Sequence, residues 1–266
     1  MSITIEDINR YSTCNFYFMS EDPNDFVERL DGLISYVFAK NGIFLAVNTP
    51  SFIAFVPTEI TYKYFNDDLI ELPSNYISIK FPRISINILK QIYDIFRKYS
   101  HEVYCVLYYD RTKERFIIHV PEQICSHASV RYDLSNSKYE NSPEKYLKCI
   151  DFHSHPQGLK SHSYIDLNDS MKTNCISCVI DLGSTFLEST FEFKAPVPIK
   201  HELIDIIDTQ IVDFGSKAIA VIDYSPERIN VGESANNKSS CFHNNLEETD
   251  DIRKFCQLEK QLWRTI

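Results

Sequence analysis

Two histidines, one residue apart, are followed by an aspartate in the stretch "IDFHSHPQGLKSHSYIDLND", residues 150–169. If the histidines lie on a strand, His153 and His155 project from the same face, because successive side chains of a strand alternate. Asp166 would then come from the helix that follows the intervening loop. Two imidazoles and a carboxylate, with a fourth position open to water, are typical of a catalytic Zn²⁺ site. The spacing therefore predicts a zinc site at His153, His155 and Asp166.

A longer pattern surrounds these ligands. It reads H-x-H-P-x6-S-x2-D and is met by His153, His155, Pro156, Ser163 and Asp166. A pattern of this length arises by chance much less often than H-x-H alone. The segment resembles the signature of the JAMM (MPN+) metalloproteases, whose domain would cover about residues 76–232. In that family two histidines, an aspartate and a water bind one zinc, and the resemblance implies that Ser163 supports the oxyanion.

The resemblance also implies an upstream glutamate that acts as general acid and base. The glutamate of that family lies at the start of a strand after the first helix, and Glu102 occupies this place in "RKYSHEVYCVLYYD". Family members often carry glycines in this strand, whereas this chain has "VYCVLYY", so Glu114 and Glu122 stay open as alternatives. Ser163 has a second interpretation, as the N-cap of a helix.

The implied reaction is hydrolysis of a peptide or isopeptide bond after the C-terminal tail of ubiquitin or a ubiquitin-like protein, with one Zn²⁺ per chain. An extended tail adds readily to a sheet edge, and we expect the strands around "STFEFKA" or "ERFIIHVP" to provide that edge. Two other segments, "LDGLISYVFAKNGIFLAV" and "IIHVPEQICSHASVRYD", resemble the bacterial PRTRC protein-A branch. Its members are encoded beside ubiquitin-like and E1-like proteins, so the resemblance implies a ubiquitin-like substrate and E1- or E2-like partners.

Two other functions stay open. The "IDFHSH" segment also resembles the first metal strand of amidohydrolases and PHP-type phosphoesterases, but too few residues follow His155 to complete a barrel of about 250 residues. A non-catalytic MPN scaffold is the second alternative, although such scaffolds typically lose the ligands that this chain retains. A zinc deaminase needs H-x-E and P-C-x-x-C, and this chain has "HSH" and "NCISC" instead.

Composition limits the partners. The formal net charge is −10 and the pI about 5.3, the opposite sign to that of a protein that binds nucleic acid through its phosphates. The eight cysteines are scattered, mostly within apolar stretches, which is typical of reduced thiols in the cytoplasm. The N-terminal residues do not resemble a signal peptide, and apolar runs such as "FIAFV" are too short to span a bilayer. We expect a cytoplasmic protein that binds neither nucleic acid nor membranes.

Hydrophobic periodicity predicts the elements that would position the site. We expect an α/β (α+β) fold with a mixed β-sheet flanked by helices, which the resemblance likens to JAMM proteins and cytidine deaminases. A small β-rich N-terminal domain would precede it. The predicted domains are 1–75 for the N-terminal domain, 76–232 for the metalloprotease domain, and 233–266 for a polar linker and C-terminal helix.

Local patterns place the individual elements. The dipeptide Asn41-Gly42 favours the positive φ angles of a tight hairpin turn between two strands, and a third strand is expected after Pro50. Ser85 would cap an amphipathic helix. Further strands are predicted at 102–110, 114–121 and 146–152, as a hairpin of "CISCVIDL" with "STFEFKA", and at "AIAVIDY".

Overall fold

The computed structural model describes residues 15–58, 68–73, 76–127, 129–155, 175–183, 190–193, 212–213 and 219–231. These residues form an α+β structure in which sheets dominate, as the broad fold prediction required. A single-turn helix, α1 (Pro23–Phe26), and a longer helix, α2 (Ile86–Phe96), lie among them. Neither helix in this part of the chain has the length and apolar character needed to cross a membrane.

Within the described ranges there are sixteen strands. Their bounds are β1 (Asn15–Phe18), β2 (Ile34–Ala39), β3 (Gly42–Asn48), β4 (Phe52–Pro57), β5 (Tyr76–Ile79), β6 (Ile84–Ser85), β7 (Tyr104–Asp110), β8 (Arg115–His119), β9 (Gln123–Cys125), β10 (Val130–Tyr132), β11 (Tyr146–His155), β12 (Ile176–Asp181), β13 (Thr190–Phe193), β14 (Val212–Asp213), β15 (Val221–Asp223) and β16 (Ile229–Val231).

The described residues divide into two compact units, one made of those before 49 and of 53–78, the other of 49–52 and 79–231. The first unit contains a five-stranded sheet in the order β1-β2-β3-β4-β5. Strands β1 and β2 are parallel, and β2, β3 and β4 form an antiparallel meander. Its core consists of Met19, Phe26, Leu30, Val37, Ala39, Phe44, Ala46, Ile53, Phe55 and Leu72.

The predicted hairpin joins β2 to β3, but its turn lies one residue earlier than the sequence suggested. Ala39 pairs with Gly42, so Lys40 and Asn41 form the two-residue loop. Gly42 has a φ of +150°, whereas the φ of Asn41 is not positive. Asn41 uses its side chain instead: Nδ2 donates to the carbonyl of Leu72 at 2.6 Å, and Oδ1 accepts from the N–H of Leu72 at 2.9 Å.

The second unit is built around a six-stranded mixed sheet in the order β13-β12-β11-β7-β8-β15. The long strand β11 is central, antiparallel to β7 and parallel to β12. Strand β13 is the outermost strand of the sheet as described, in agreement with the predicted hairpin partner of β12. Strand β8 is not an edge, because β15 pairs with it in parallel, so the "ERFIIHVP" strand was the wrong place to expect a free edge.

Helix α2 begins where the sequence predicted. The side chain of Ser85 accepts a hydrogen bond from the N–H of Asn87 at 3.2 Å and so caps the helix. Its buried face consists of Ile88, Leu89, Ile92, Ile95 and Phe96. Gln91, on the same helix, donates from Nε2 to the carbonyl of Ala220 at 3.2 Å and accepts from the N–H of Ala220 at 3.0 Å.

Several predicted features lie outside the described residues. They are the helix expected near Ser163, the linker and helix at 233–266, and the ligands of the loop after β11. The predicted domain boundary between residues 75 and 76 stays a prediction.

Candidate metal centre

The two histidines lie inside strand β11 rather than just beyond it. The sequence predicted a strand that ends at residue 152, but the strand hydrogen bonds continue on both sides through His155. Ser154 donates its N–H to the carbonyl of Val103 at 2.9 Å on the β7 side, and Leu182 donates to the carbonyl of His155 at 3.0 Å on the β12 side. The sheet therefore fixes the main chain that carries both imidazoles.

His153 and His155 lie side by side on one face of the sheet. Both residues are buried, at 7% and 3% exposure, and their ring centroids are 5.0 Å apart with an angle of 60° between the planes. Two imidazoles that share one tetrahedral Zn²⁺, each with a Zn–N distance of about 2.0–2.1 Å, have ring centroids about 5 Å apart. The observed spacing therefore fits the pair to a zinc ion.

The other two predicted residues of this loop, Ser163 and Asp166, lie outside the described residues. Within the ranges that are described, no three side chains of histidine, cysteine, aspartate or glutamate form a group that could hold a metal. The described part of the candidate centre is thus the imidazole pair and the elements next to it.

Glu102, the predicted acid–base residue, lies two residues before β7, because the strand begins at Tyr104 and not at residue 102 as predicted. Tyr104 is the cross-strand partner of His153, and Val103 accepts from the N–H of Ser154 and donates to its Oγ, both at 2.9 Å. Continuing this register by one more position brings Glu102 level with His155. Glu102 is partly buried, and burial together with its carboxylate raises the pKa of Cys125 to about 11.

The alternative glutamates occupy other places. Glu114 is exposed and lies in the turn between β7 and β8, with a φ of 47°. That turn follows the end of β7 that pairs with Tyr146, about 20 Å along the strand from Tyr104. Glu122 is exposed and lies between β8 and β9. Of the three glutamates, only Glu102 directly precedes a residue, Val103, that is hydrogen-bonded to Ser154 between the two imidazoles.

A buried polar network next to the histidines was not predicted from the sequence. Asp151 is 3% exposed and lies two residues before His153 on the same face of β11. It accepts from the hydroxyl of Tyr104 at 2.8 Å, and its Oδ1 lies 3.2 Å from Nζ of Lys148. The thiol of Cys175 donates to its Oδ2 at 3.0 Å. Strand alternation could have placed Asp151 beside His153, but two of its three partners, Tyr104 and Cys175, lie outside β11.

The carboxylates near Lys148 favour the charged form of this lysine. Burial alone would lower the pKa of Lys148, but the Asp151 carboxylate, with help from Glu140, outweighs burial and raises the pKa above its usual value. Glu140 lies 3.8 Å from the same ammonium group. Cys175 and Cys178 are buried free thiols.

A second buried aspartate lies on the other side of the histidines. Asp181 is the parallel-strand partner of His155 and is 3% exposed. Its Oδ1 accepts from the N–H of Gly183 at 2.8 Å. The face of the sheet that carries the two imidazoles therefore also carries two buried aspartates, Asp151 earlier on the same strand and Asp181 on the neighbouring one.

Another polar group joins β8 to β15. Nδ1 of His119 lies 3.2 Å from Oδ2 of Asp223, which also accepts from the hydroxyl of Tyr139 at 2.9 Å. Arg228 donates to Oδ1 of the same carboxylate at 3.0 Å. Burial lowers the pKa of His119, and the nearby Asp223 offsets this only in part, while Arg228 and Lys138 lower it further.

The structure thus brings Val103, the residue after Glu102, against the segment of β11 that carries His153 and His155. Two imidazoles can serve as zinc ligands, and the segment that leads into the adjacent strand carries a carboxylate; metal-assisted hydrolysis uses groups of these kinds. No family model matches the chain, and no curated protein matches its sequence.

Proposed function

We propose that the chain is a zinc-dependent peptidase or isopeptidase with a JAMM-like fold, which cleaves after the C-terminal tail of a ubiquitin-like protein. One observation supports the proposal: two buried imidazoles lie 5.0 Å apart at the end of the central strand, and Val103, the residue after Glu102, is hydrogen-bonded to Ser154 between them. Two histidines one residue apart on a strand are insufficient alone, but their spacing in the fold is that of two ligands of one metal.

His153 and His155 would hold the Zn²⁺, with Asp166 as the third protein ligand. The bound ion acts as a Lewis acid that activates water and polarises the scissile carbonyl. Glu102 takes the proton from the attacking water and gives it to the leaving amine, which contributes roughly 100- to 10,000-fold in rate. The hydroxyl of Ser163 donates a hydrogen bond to the developing oxyanion, worth roughly 100- to 1000-fold.

The substrate class follows from the resemblance and from the sheet. An extended tail can add as a further strand at a sheet edge, and β13 is the outermost described strand on the β12 side of the histidines. The net charge of −10 favours a basic tail, an attraction that weakens with added salt. Small residues next to the cleaved bond would fit most easily between the metal, Ser163 and Glu102.

Zinc content tests the ligand assignment. Purified protein should contain about one equivalent of zinc by metal mass spectrometry, and His153→Ala and His155→Ala should each lose most of it. His127→Ala is the matched control, because His127 is an exposed histidine outside the pair. Full zinc retention in both His153→Ala and His155→Ala would overturn the assignment.

Cleavage tests the reaction. We would incubate the protein with fusions to a ubiquitin-like protein from the same genome and to ubiquitin, with and without a chelator. Zinc-dependent cleavage directly after the tail is the expected result, and His153→Ala should abolish it. Failure to cleave either fusion, together with hydrolysis of phosphoesters, would instead favour a phosphoesterase.

A further inference from the structure

The side chain of Gln123 replaces a missing main-chain bond at the start of β7. Val106 pairs with His119, and continuing that antiparallel register by two positions brings Tyr104 opposite Pro121. Proline has no N–H, so it cannot donate to the carbonyl of Tyr104 as a strand partner would. Gln123, which is 2% exposed, donates from Nε2 to that carbonyl at 2.9 Å and accepts from the N–H of Tyr104 at 2.8 Å.

Gln123 completes a set of hydrogen bonds that fixes three successive residues. The N–H of Glu102 donates to the carbonyl of Ser126 at 3.0 Å. Val103 is bonded at both its N–H and its carbonyl to Ser154, between the two imidazoles. Only the bonds to Tyr104 depend on a side chain that lies outside the H-x-H segment and outside β7. Gln123 is therefore the residue that can be changed without touching the imidazole pair or the glutamate.

We propose that Gln123 is a positioning residue for proton transfer by Glu102. By fixing the main chain two residues after Glu102, it holds the carboxylate at the place where the attacking water loses its proton. A displacement of about 1 Å in such a group can cost about 100-fold in rate. This inference rests on the proposed function, because it assigns Gln123 to the reaction proposed for the same site.

The chain provides a matched control in Gln91. Its amide makes the same pair of bonds to one residue, Ala220, at 3.2 and 3.0 Å. Methionine has nearly the length of glutamine and removes the pair of main-chain bonds at either position. At position 123 it also removes the longer bonds to the carbonyl of Pro121, at 3.3 Å, and from the thiol of Cys125, at 3.5 Å. Gln123→Met and Gln91→Met are the same substitution, but only the first acts on the segment that carries Glu102.

The test compares turnover in these variants with wild type. We expect Gln123→Met to lower kcat about 10- to 100-fold with KM and zinc content unchanged, and Gln91→Met to keep kcat within about twofold. In the Glu102→Gln background, Gln123→Met should cause little further loss, because both changes act through the same carboxylate. If the losses in kcat of the two single variants multiply fully in the double variant, the role of Gln123 is only structural and the inference is overturned.

Hydrogen exchange gives a readout that does not need activity. In protein treated with chelator, Gln123→Met should speed amide exchange in a peptide covering 102–104 at least tenfold, whereas Gln91→Met should leave that peptide unchanged. If Gln123→Met does not fold, Gln123→Glu retains the acceptor and replaces only the donor, and the same results are expected. If the wild type is active and neither Gln123 variant lowers kcat, this inference is overturned but the proposed function is not. A wild type without zinc or cleavage overturns the proposed function and this inference with it.

Discussion

Removing the Asp151 carboxylate should destabilise the protein far more than removing an exposed one. The Asp151 side chain is 5% exposed and pairs with Lys148 at 3.2 Å, and it accepts from the hydroxyl of Tyr104 at 2.8 Å. In Asp151→Ala both partners lose their strongest acceptor in a region with little access to water. A buried charge or hydroxyl that cannot find a partner carries the full cost of its lost hydration.

The magnitude follows from these contacts. Breaking a buried ion pair from one side costs roughly 3–5 kcal/mol. The side chain of Lys148 is 24% exposed and Glu140 lies 3.8 Å away, so the lower end, about 3 kcal/mol, applies. The Tyr104 hydroxyl adds about 1 kcal/mol. We therefore expect a loss of about 4 kcal/mol, which corresponds to a fall in Tm of about 8–16 °C for a unit of this size.

Urea unfolding followed by circular dichroism at pH 7, with chelator present, measures this loss as a lower midpoint at unchanged m. The control is Asp94→Ala, which breaks an ion pair with Arg97 whose side chains are 39% and 62% exposed and should cost less than about 1 kcal/mol. Adding Lys148→Met to Asp151→Ala should restore at least about 2 kcal/mol, because the unpaired ammonium is then removed and Glu140, whose side chain is 34% exposed, can be hydrated. An Asp151→Ala variant as stable as Asp94→Ala, or a double variant with fully additive losses, would refute this reasoning.

Three further predictions concern catalysis, pH and the hairpin. Glu102→Gln should keep zinc and fold but lose roughly 100- to 10,000-fold in turnover, while Glu114→Gln and Glu122→Gln stay active. If one of the latter two loses activity and Glu102→Gln does not, the general base is that other glutamate. Because the folded-state pKa of His119 lies below its ordinary value of 6.5, the unfolded chain takes up its proton first, and stability should fall as pH drops through about 6.5. In His119→Gln, the urea midpoint should fall less between pH 7.5 and pH 5.5 than it does in the wild type. Equal decreases in the two proteins would contradict the assignment. Gly42→Ala should cost about 1 kcal/mol or more, because an alanine at φ +150° is strained although its Cβ would meet only Phe44, at 3.9 Å; an unchanged urea midpoint would argue otherwise.

Local patterns predicted the elements whose cause is local. The amphipathic period and the serine cap predicted helix α2, and the apolar runs predicted β7, β8 and β11, because burial of one or both faces selects those residues. The hairpin turn was placed one residue late because the Asn-Gly pattern describes the loop alone. The structure uses Asn41 to bind Leu72, 31 positions along the chain, and that partner is invisible to a two-residue pattern.

In the candidate site, too, the sequence predicted the features that depend on local spacing and missed those that depend on distant partners. The H-x-H spacing is local, so the sequence could predict an imidazole pair on one face of a strand. The end of β11 was placed too early, because the polar residues after Phe152 look like a loop until the bonds from Ser154 to Val103 and from Leu182 are known. Asp151 and Gln123 were missed, because their importance lies in partners from other strands.

The continuation of β11 through both histidines has a consequence for the order of folding and metal loading. In many small zinc domains the ligands come together only when the ion binds, so metal affinity and folding free energy are the same quantity. Here the main chain that carries the imidazoles is bonded to β7 and β12, and these bonds do not involve the imidazole rings. If the proposed zinc binds to such a pair, the chain should take up and release it as a folded protein. Chelation should then empty the centre without unfolding the strand that carries it.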